Sequence, residues 1–405
     1  MAHVHGEVIL RPAARRQVRI LLALLVAPFA VATVVGLVVL WPDRTSVDVP
    51  EAIGPAPERA EAVLERVTRA PCPGTEDPDA SACWSATARI VTGPRRDEVI
   101  ELPETGGQGA GSFLEPGDRV VVAHVGGDEP GAGWYFEDFA RRRPMLVLGA
   151  VFAVAVVLLG RWRGVFSIVG LACSLLLLVR FVLPSILEGH DPVAVAVVGA
   201  SAVMFVTLYL AHGFNVRTTS AVAGTLASLF VIGILSNLFV EGTRLTGLAS
   251  EESGFLRALA EGIDLHGLLL GGIVIGSLGV LDDVTVTQAS AVWELSLANV
   301  TYGFRQLYTT ALRIGRDHIA STVNTLVLAY AGASLPLLVL FTLSNRPLGD
   351  VLTGEVVAQE IVRTLVGSIG LVASVPLTTA LTAFVATRHR GPATQELGVE
   401  SDDDR

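Results

Sequence analysis

Apolar runs long enough to cross a bilayer restrict the fold of this chain more than any other feature. A run at residues 18–40 is followed by seven more, at 145–160, 164–187, 192–211, 218–240, 265–283, 319–343 and 361–386. About 20 apolar residues in a helix span roughly 30 Å of hydrocarbon, and in that medium the backbone must satisfy its own hydrogen bonds. The expected fold is a polytopic α-helical membrane protein with about eight transmembrane helices. The first run follows Arg11, Arg15, Arg16 and Arg19. It is too long for the core of a signal peptide and has no Ala-X-Ala site before Trp41, so it reads as a retained anchor.

Residues 42–143 change character. Pro, Gly and acidic residues rise, and apolar residues alternate at 84–91 and 118–125, as in half-buried strands. This predicts a small β-rich domain; residues 60–69 fit helix or strand. Gly107, Gly109 and Gly111 read as a hairpin connection rather than a phosphate loop. The resulting division is a cytoplasmic N-terminus (1–17), transmembrane helix 1 (18–40), an extracytoplasmic β-rich domain (42–143), a seven-helix membrane domain (144–386) and a cytoplasmic acidic tail (387–405). Alternate loops carry Arg161 and Arg163, then Arg217, then Arg305, Arg313 and Arg316, then Arg388 and Arg390. The positive-inside rule puts these loops and both termini in the cytoplasm of a plasma-membrane protein. Arg141 to Arg143 break the pattern, after a long translocated segment that weakens their weight.

Composition excludes several chemistries. All 29 basic residues are arginine, so neither a P-loop lysine nor a Schiff-base lysine exists. A net charge of -10 argues against nucleic-acid partners. No His-X-X-X-His, Cys-X-X-Cys, Gly-X-Ser-X-Gly or Gly-X-Gly-Asp pattern occurs, so no metal, cofactor or enzymatic activity is expected. Cys72 and Cys83 flank a Pro/Gly/Asp-rich loop outside the cytoplasm and are expected to form a disulfide, while Cys173 reads as a packing residue.

Polar chemistry concentrates in the sixth run. Gly272, Gly276, Gly279, Asp283, Thr287, Ser290 and Glu294 fall on one face of a helix. Glycines at that spacing are expected to pack against a neighbouring helix and to turn Asp283 into the bundle. On the seventh run Asp317, Ser321 and Asn324 also share a face, with Arg316 or Arg313 available to neutralise carboxylates. Asp283, Thr287, Arg316, Asp317, Ser321 and Asn324 are therefore the candidates for an ion or solute site. Asp282 lies off the stripe and reads as water-exposed. The short apolar core of the sixth run fits either a broken helix or a continuous one. Ser250 is a candidate N-cap for a short interfacial helix, and residues 298–314 read as a second one on the cytoplasmic side. Arg180 and Arg363 are expected to snorkel, and Pro184, Pro336 and Pro376 are candidate kinks.

Several stretches together resemble the YibE/F family of multi-pass membrane proteins. They include His212-Gly-Phe-Asn, Leu245-Thr-Gly-Leu-Ala-Ser-Glu-Glu, Gly276-Ser-Leu-Gly-Val-Leu-Asp-Asp-Val, Ile314-Gly-Arg-Asp, Asn324-Thr-Leu-Val-Leu-Ala-Tyr and Val375-Pro-Leu-Thr. The likeness runs from about Ala60 to the last span and implies strand for residues 60–69. The family's single aspartate in the glycine-rich segment corresponds to Asp283. The resemblance implies a permease-like membrane protein and supplies neither a substrate nor a catalytic residue. The expected function is a transporter or channel, ion-coupled or passive; the alternative is a non-transporting scaffold or sensor whose outer domain binds a ligand or protein. Expected partners are the bilayer, a small solute or ion, and a second copy or envelope protein. Asp283 facing an aqueous cavity would favour the first reading, and Asp283 sealed against Arg316 the second.

Overall fold

A computed structural model describes residues 12–43, 57–71, 82–105, 113–125, 133–260, 262–343 and 346–390. Cys72 of the expected disulfide and the Gly107–Gly111 connection lie outside these residues. The chain divides into two compact units, Val49–Leu158 and the remainder.

The first unit holds one antiparallel sheet in the order β3-β2-β1-β4-β5. Its strands are β1 (Glu58–Pro71), β2 (Ala82–Ile90), β3 (Val99–Thr105), β4 (Arg119–His124) and β5 (Trp134–Phe139). The ambiguous residues 60–69 are thus the central strand. Alternation explains this: Ala60, Ala62 and Leu64 are buried while Glu61, Val63 and Glu65 are not. An irregularity between Leu64 and Arg66 shifts the register against β2. Leu64, Trp84, Ile90, Ile100, Leu102, Val122 and Trp134 close a core on one face of the sheet.

The second unit is helical. It contains α1 (Pro12–Val39), most of α2 (Arg142–Leu177), a π-helical turn at Leu178–Val182, α3 (Leu183–Leu187), α4 (Pro192–His212) and α5 (Val216–Gly242). It continues with α6 (Glu251–Leu259), α7 (Leu265–Ala298), α8 (Phe304–Ala333), α9 (Leu335–Leu343), α10 (Leu348–Thr353) and α11 (Glu355–Arg390). Among the described residues, six helical segments are long and apolar enough to cross a membrane, and seven if the bent pair α8–α9 forms one span. That pair bends by 61° just before Pro336, which cannot supply the N–H that a straight helix needs. Arg161 breaks α2 with φ 52° and ψ -132°. Pro376, by contrast, sits inside an uninterrupted α11.

Of the two readings open for the sixth run, the continuous one holds: it is one helix of 34 residues. One expectation is corrected here. Residues 304–314 are not a separate interfacial helix: they continue directly into the seventh span as α8, where Leu307, Ala311 and Gly315 are buried. Family-like stretches elsewhere take local structural roles. Asn215 caps α5 by accepting from Thr218 N at 2.9 Å. Ser250 caps α6 as expected. Glu355 clasps the Leu245–Ala249 turn by accepting from Thr246 N, Thr246 Oγ1 and Gly247 N. Arg180 is exposed and unpaired among the described residues, whereas Arg363 pairs with Glu360 at 3.2 Å rather than snorkelling.

Helices α5, α7 and α11 form the centre. Close approach requires glycine where α5 meets α11: a Cβ at Gly224 would collide with Thr378, and one at Gly370 with Ile232. Ile232, Leu269, Ile273, Leu281, Val362 and Val366 fill the space between these helices.

Candidate functional site

One part of the interior of this three-helix centre is polar. Thr225 and Ser228 of α5, Thr285 and Gln288 of α7, and Ser374, Thr378, Thr379 and Thr382 of α11 are all buried. Hydroxyls are tolerated in a helix interior because they can bond back to the preceding turn, as Ser228 does to Gly224 O at 2.8 Å and Thr379 to Val375 O at 2.6 Å.

The row on α7 links the helices. Asp282, Thr285 and Gln288 are three residues apart, and each step falls about 60° short of a full turn. The row therefore winds around α7 and meets a different neighbour at each step. Asp282 Oδ2 accepts from Thr207 Oγ1 on α4 at 3.2 Å. Thr285 Oγ1 and Thr225 Oγ1 on α5 share a hydrogen bond of 2.7 Å. Gln288 Nε2 donates to Thr379 Oγ1 on α11 at 2.7 Å and to Ala311 O on α8 at 3.0 Å. Four helices thus converge on one winding polar row.

Asp282 is the charged member. Its residue surface is partly exposed, but Oδ1 is enclosed and has no hydrogen-bond partner. No cation lies within ion-pair distance of it among the described residues. Thr378 Oγ1 and Thr382 Oγ1 are likewise enclosed without partners. A buried carboxylate is costly when ionised and unpaired, so the site suits occupancy by a proton or a small cation. The Thr207 hydroxyl beside it is an oxygen of the type that such a cation takes.

The glycine stripe takes a different position from the one expected. Gly272, Gly276, Gly279, Asp283 and Thr287 are all exposed, on the side of α7 that the chain leaves uncovered. A Cβ at Gly272 or Gly279 would meet nothing within 4 Å, so these glycines are not packing contacts; one at Gly276 would lie 3.3 Å from Tyr330 Oη. Arg316, Asp317, Ser321 and Asn324 are exposed on α8, because the opposite face, with Leu307, Ala311, Gly315 and Leu326, packs into the bundle. Asp283 pairs with neither Arg316 nor Arg313 among the described residues, so the two faces do not meet as a clamp. The roles of the adjacent aspartates are exchanged: Asp282 enters the bundle and Asp283 leaves it.

A model of the YibE/F-like protein family matches residues 148–388. The match begins after the sheet and covers α2 to α11. No curated protein and no solved structure matches the chain.

Proposed function

The chain belongs to the YibE/F-like protein family, and from that premise we propose that it is a permease of the plasma membrane. It moves a small ion or solute through the interior of its helix bundle, passively or coupled to an ion gradient. The observation that carries this reading is Asp282, a carboxylate inside a membrane bundle with one oxygen enclosed and no cation beside it. Ionisable groups in such places are costly, and they are found where protons or ions bind and leave. The winding row from Thr207 through Thr285 to Gln288 extends the polar surface across four helices. Asp282 releases and rebinds its proton or cation as the surrounding helices shift.

Eight crossings are favoured by length. The helical run Arg142–Leu187 has 46 residues, a rise of about 69 Å, more than twice the hydrocarbon thickness. Arg161 interrupts it at the point where Arg163 adds a second charge. Eight crossings bring both termini to the same side, and the arginine-bearing loops make that side the cytoplasm. The sheet then lies outside. Cysteines introduced one at a time at Arg96 and at Arg388, in a background with Cys72, Cys83 and Cys173 replaced, test this. A membrane-impermeant maleimide applied to intact cells should label position 96 and spare position 388; the reverse, or labelling of both, overturns the topology.

Transport itself is tested by reconstituting the full chain in liposomes under proton, sodium and potassium gradients in turn. Dissipation of at least one gradient faster than in empty liposomes supports the permease. No flux under any gradient, from protein that remains folded, contradicts it.

A further inference from the structure

We propose that the groove between α1 and α4 is a binding site for an anionic phospholipid of the leaflet on the Arg19 side. This inference rests on the membrane-embedded fold and not on transport.

The groove has a volume of about 1620 Å³ and runs along α1 from Arg19 to Leu37. Eighteen residues of helix rise about 27 Å, enough to accommodate an extended acyl chain. Its origin is legible in α1. Val18 packs into the bundle, Leu22 and Val26 are buried at the groove's base, and Ala23, Ala27 and Ala30 recur at helical spacing along it. Alanine leaves a trough there, which Phe205, Val206 and Tyr209 of α4 face from across it.

The groove is apolar along most of its length and charged at one end only. Arg19, Asn215, Arg217 and Glu294 gather there, beside Trp293 and His389. Arg217 pairs with Glu294 at 3.7 Å, which leaves Arg19 as an exposed cation with no ion-pair partner among the described residues. One net positive charge above an apolar trough complements one phosphodiester above acyl chains. Trp293 stands edge-on to His389 at the same end, as aromatic residues do at a headgroup boundary.

The test is native mass spectrometry of the full chain in detergent with equimolar dioleoylphosphatidylglycerol and dioleoylphosphatidylcholine. The wild type should retain phosphatidylglycerol in preference, at one molecule per chain. Arg19→Gln should lower that preference about fivefold, the worth of one arginine beside an anionic lipid. Ala27→Phe should fill the trough and abolish retention, while Leu24→Phe, on the exposed side of α1, should not. Arg257→Gln, on α6, serves as a charge control. Equal retention of both lipids by the wild type, or an unchanged preference in Arg19→Gln, would overturn the assignment.

Discussion

Replacing Asp282 with Asn should lower flux about 100-fold, the lower end of what a positioned proton-transferring side chain contributes. Asp283→Asn should leave flux near the wild-type level. The two residues are neighbours in sequence and differ only in what surrounds them. Asp282 accepts from Thr207 across the α4–α7 boundary, and its other oxygen is enclosed. Asp283 is exposed and has no hydrogen-bond or ion-pair partner among the described residues. Asparagine keeps the shape of Asp282 and an oxygen for Thr207, but it can neither release a proton nor neutralise a cation. Its folded state should therefore be no less stable than the wild type, since an amide is cheaper to bury than a carboxylate. Loss of flux with retained thermal stability is the expected combination. Equal losses at the two positions would move the site to the exposed face. Retained flux in Asp282→Asn would remove the carboxylate from the mechanism.

The second large effect concerns packing. Gly370→Val should destabilise the protein by about 1–3 kcal/mol or more, because overfilling a close-packed contact forces backbone movement. Even a Cβ at this position meets Ile232 of α5 at less than contact distance, so Gly370→Ala should already be harmful. Gly279→Ala should have the opposite sign. Its Cβ has open space, and alanine is favoured over glycine in a helix by about 1 kcal/mol. Thermal unfolding in detergent, read by the loss of monodisperse protein, separates these outcomes. A stability loss at Gly279 equal to that at Gly370 would mean that the glycine face of α7 is a packed contact after all.

This contrast explains how much of the molecule could be read from its residues. The helices were legible because their runs are long, and β1 became legible once its alternation was seen beside β2 and β4. The direction of a helix face was not. In a soluble protein the apolar side points inward, but in lipid both sides are apolar and periodicity alone cannot choose between them. On α7 two polar rows compete. One holds Gly272, Gly276, Gly279 and Asp283; the other holds Asp282, Thr285 and Gln288. The first looked like a packing seam because glycine permits close approach. Close approach is mediated by other glycines: Gly224 on α5, Gly370 on α11 and, on α7 itself, Gly271, whose Cβ would lie 3.0 Å from Pro192 O of α4. The signal available for the second row was its three-residue spacing combined with Thr207, Thr225 and Thr379 on other spans. None of these stands out alone, because isolated hydroxyls in membrane helices bond to their own backbone. Of the prolines singled out, Pro336 coincides with a sharp bend, Pro184 follows the π-helical turn, and Pro376 is absorbed in a continuous helix.

Chemical modification separates the two aspartates without any mutation. An apolar carbodiimide partitions into the bilayer interior and reacts with carboxyl groups there, and a cation bound at a carboxylate shields it. Applied to the reconstituted full chain, followed by peptide mapping, it should modify Asp282 and stop flux in proportion to the modification at Asp282, whatever the extent of reaction at Asp283. The transported cation should slow the reaction. Modification at Asp283 with Asp282 untouched, or complete modification of Asp282 with flux intact, would contradict a functional site inside the α4–α5–α7–α11 bundle.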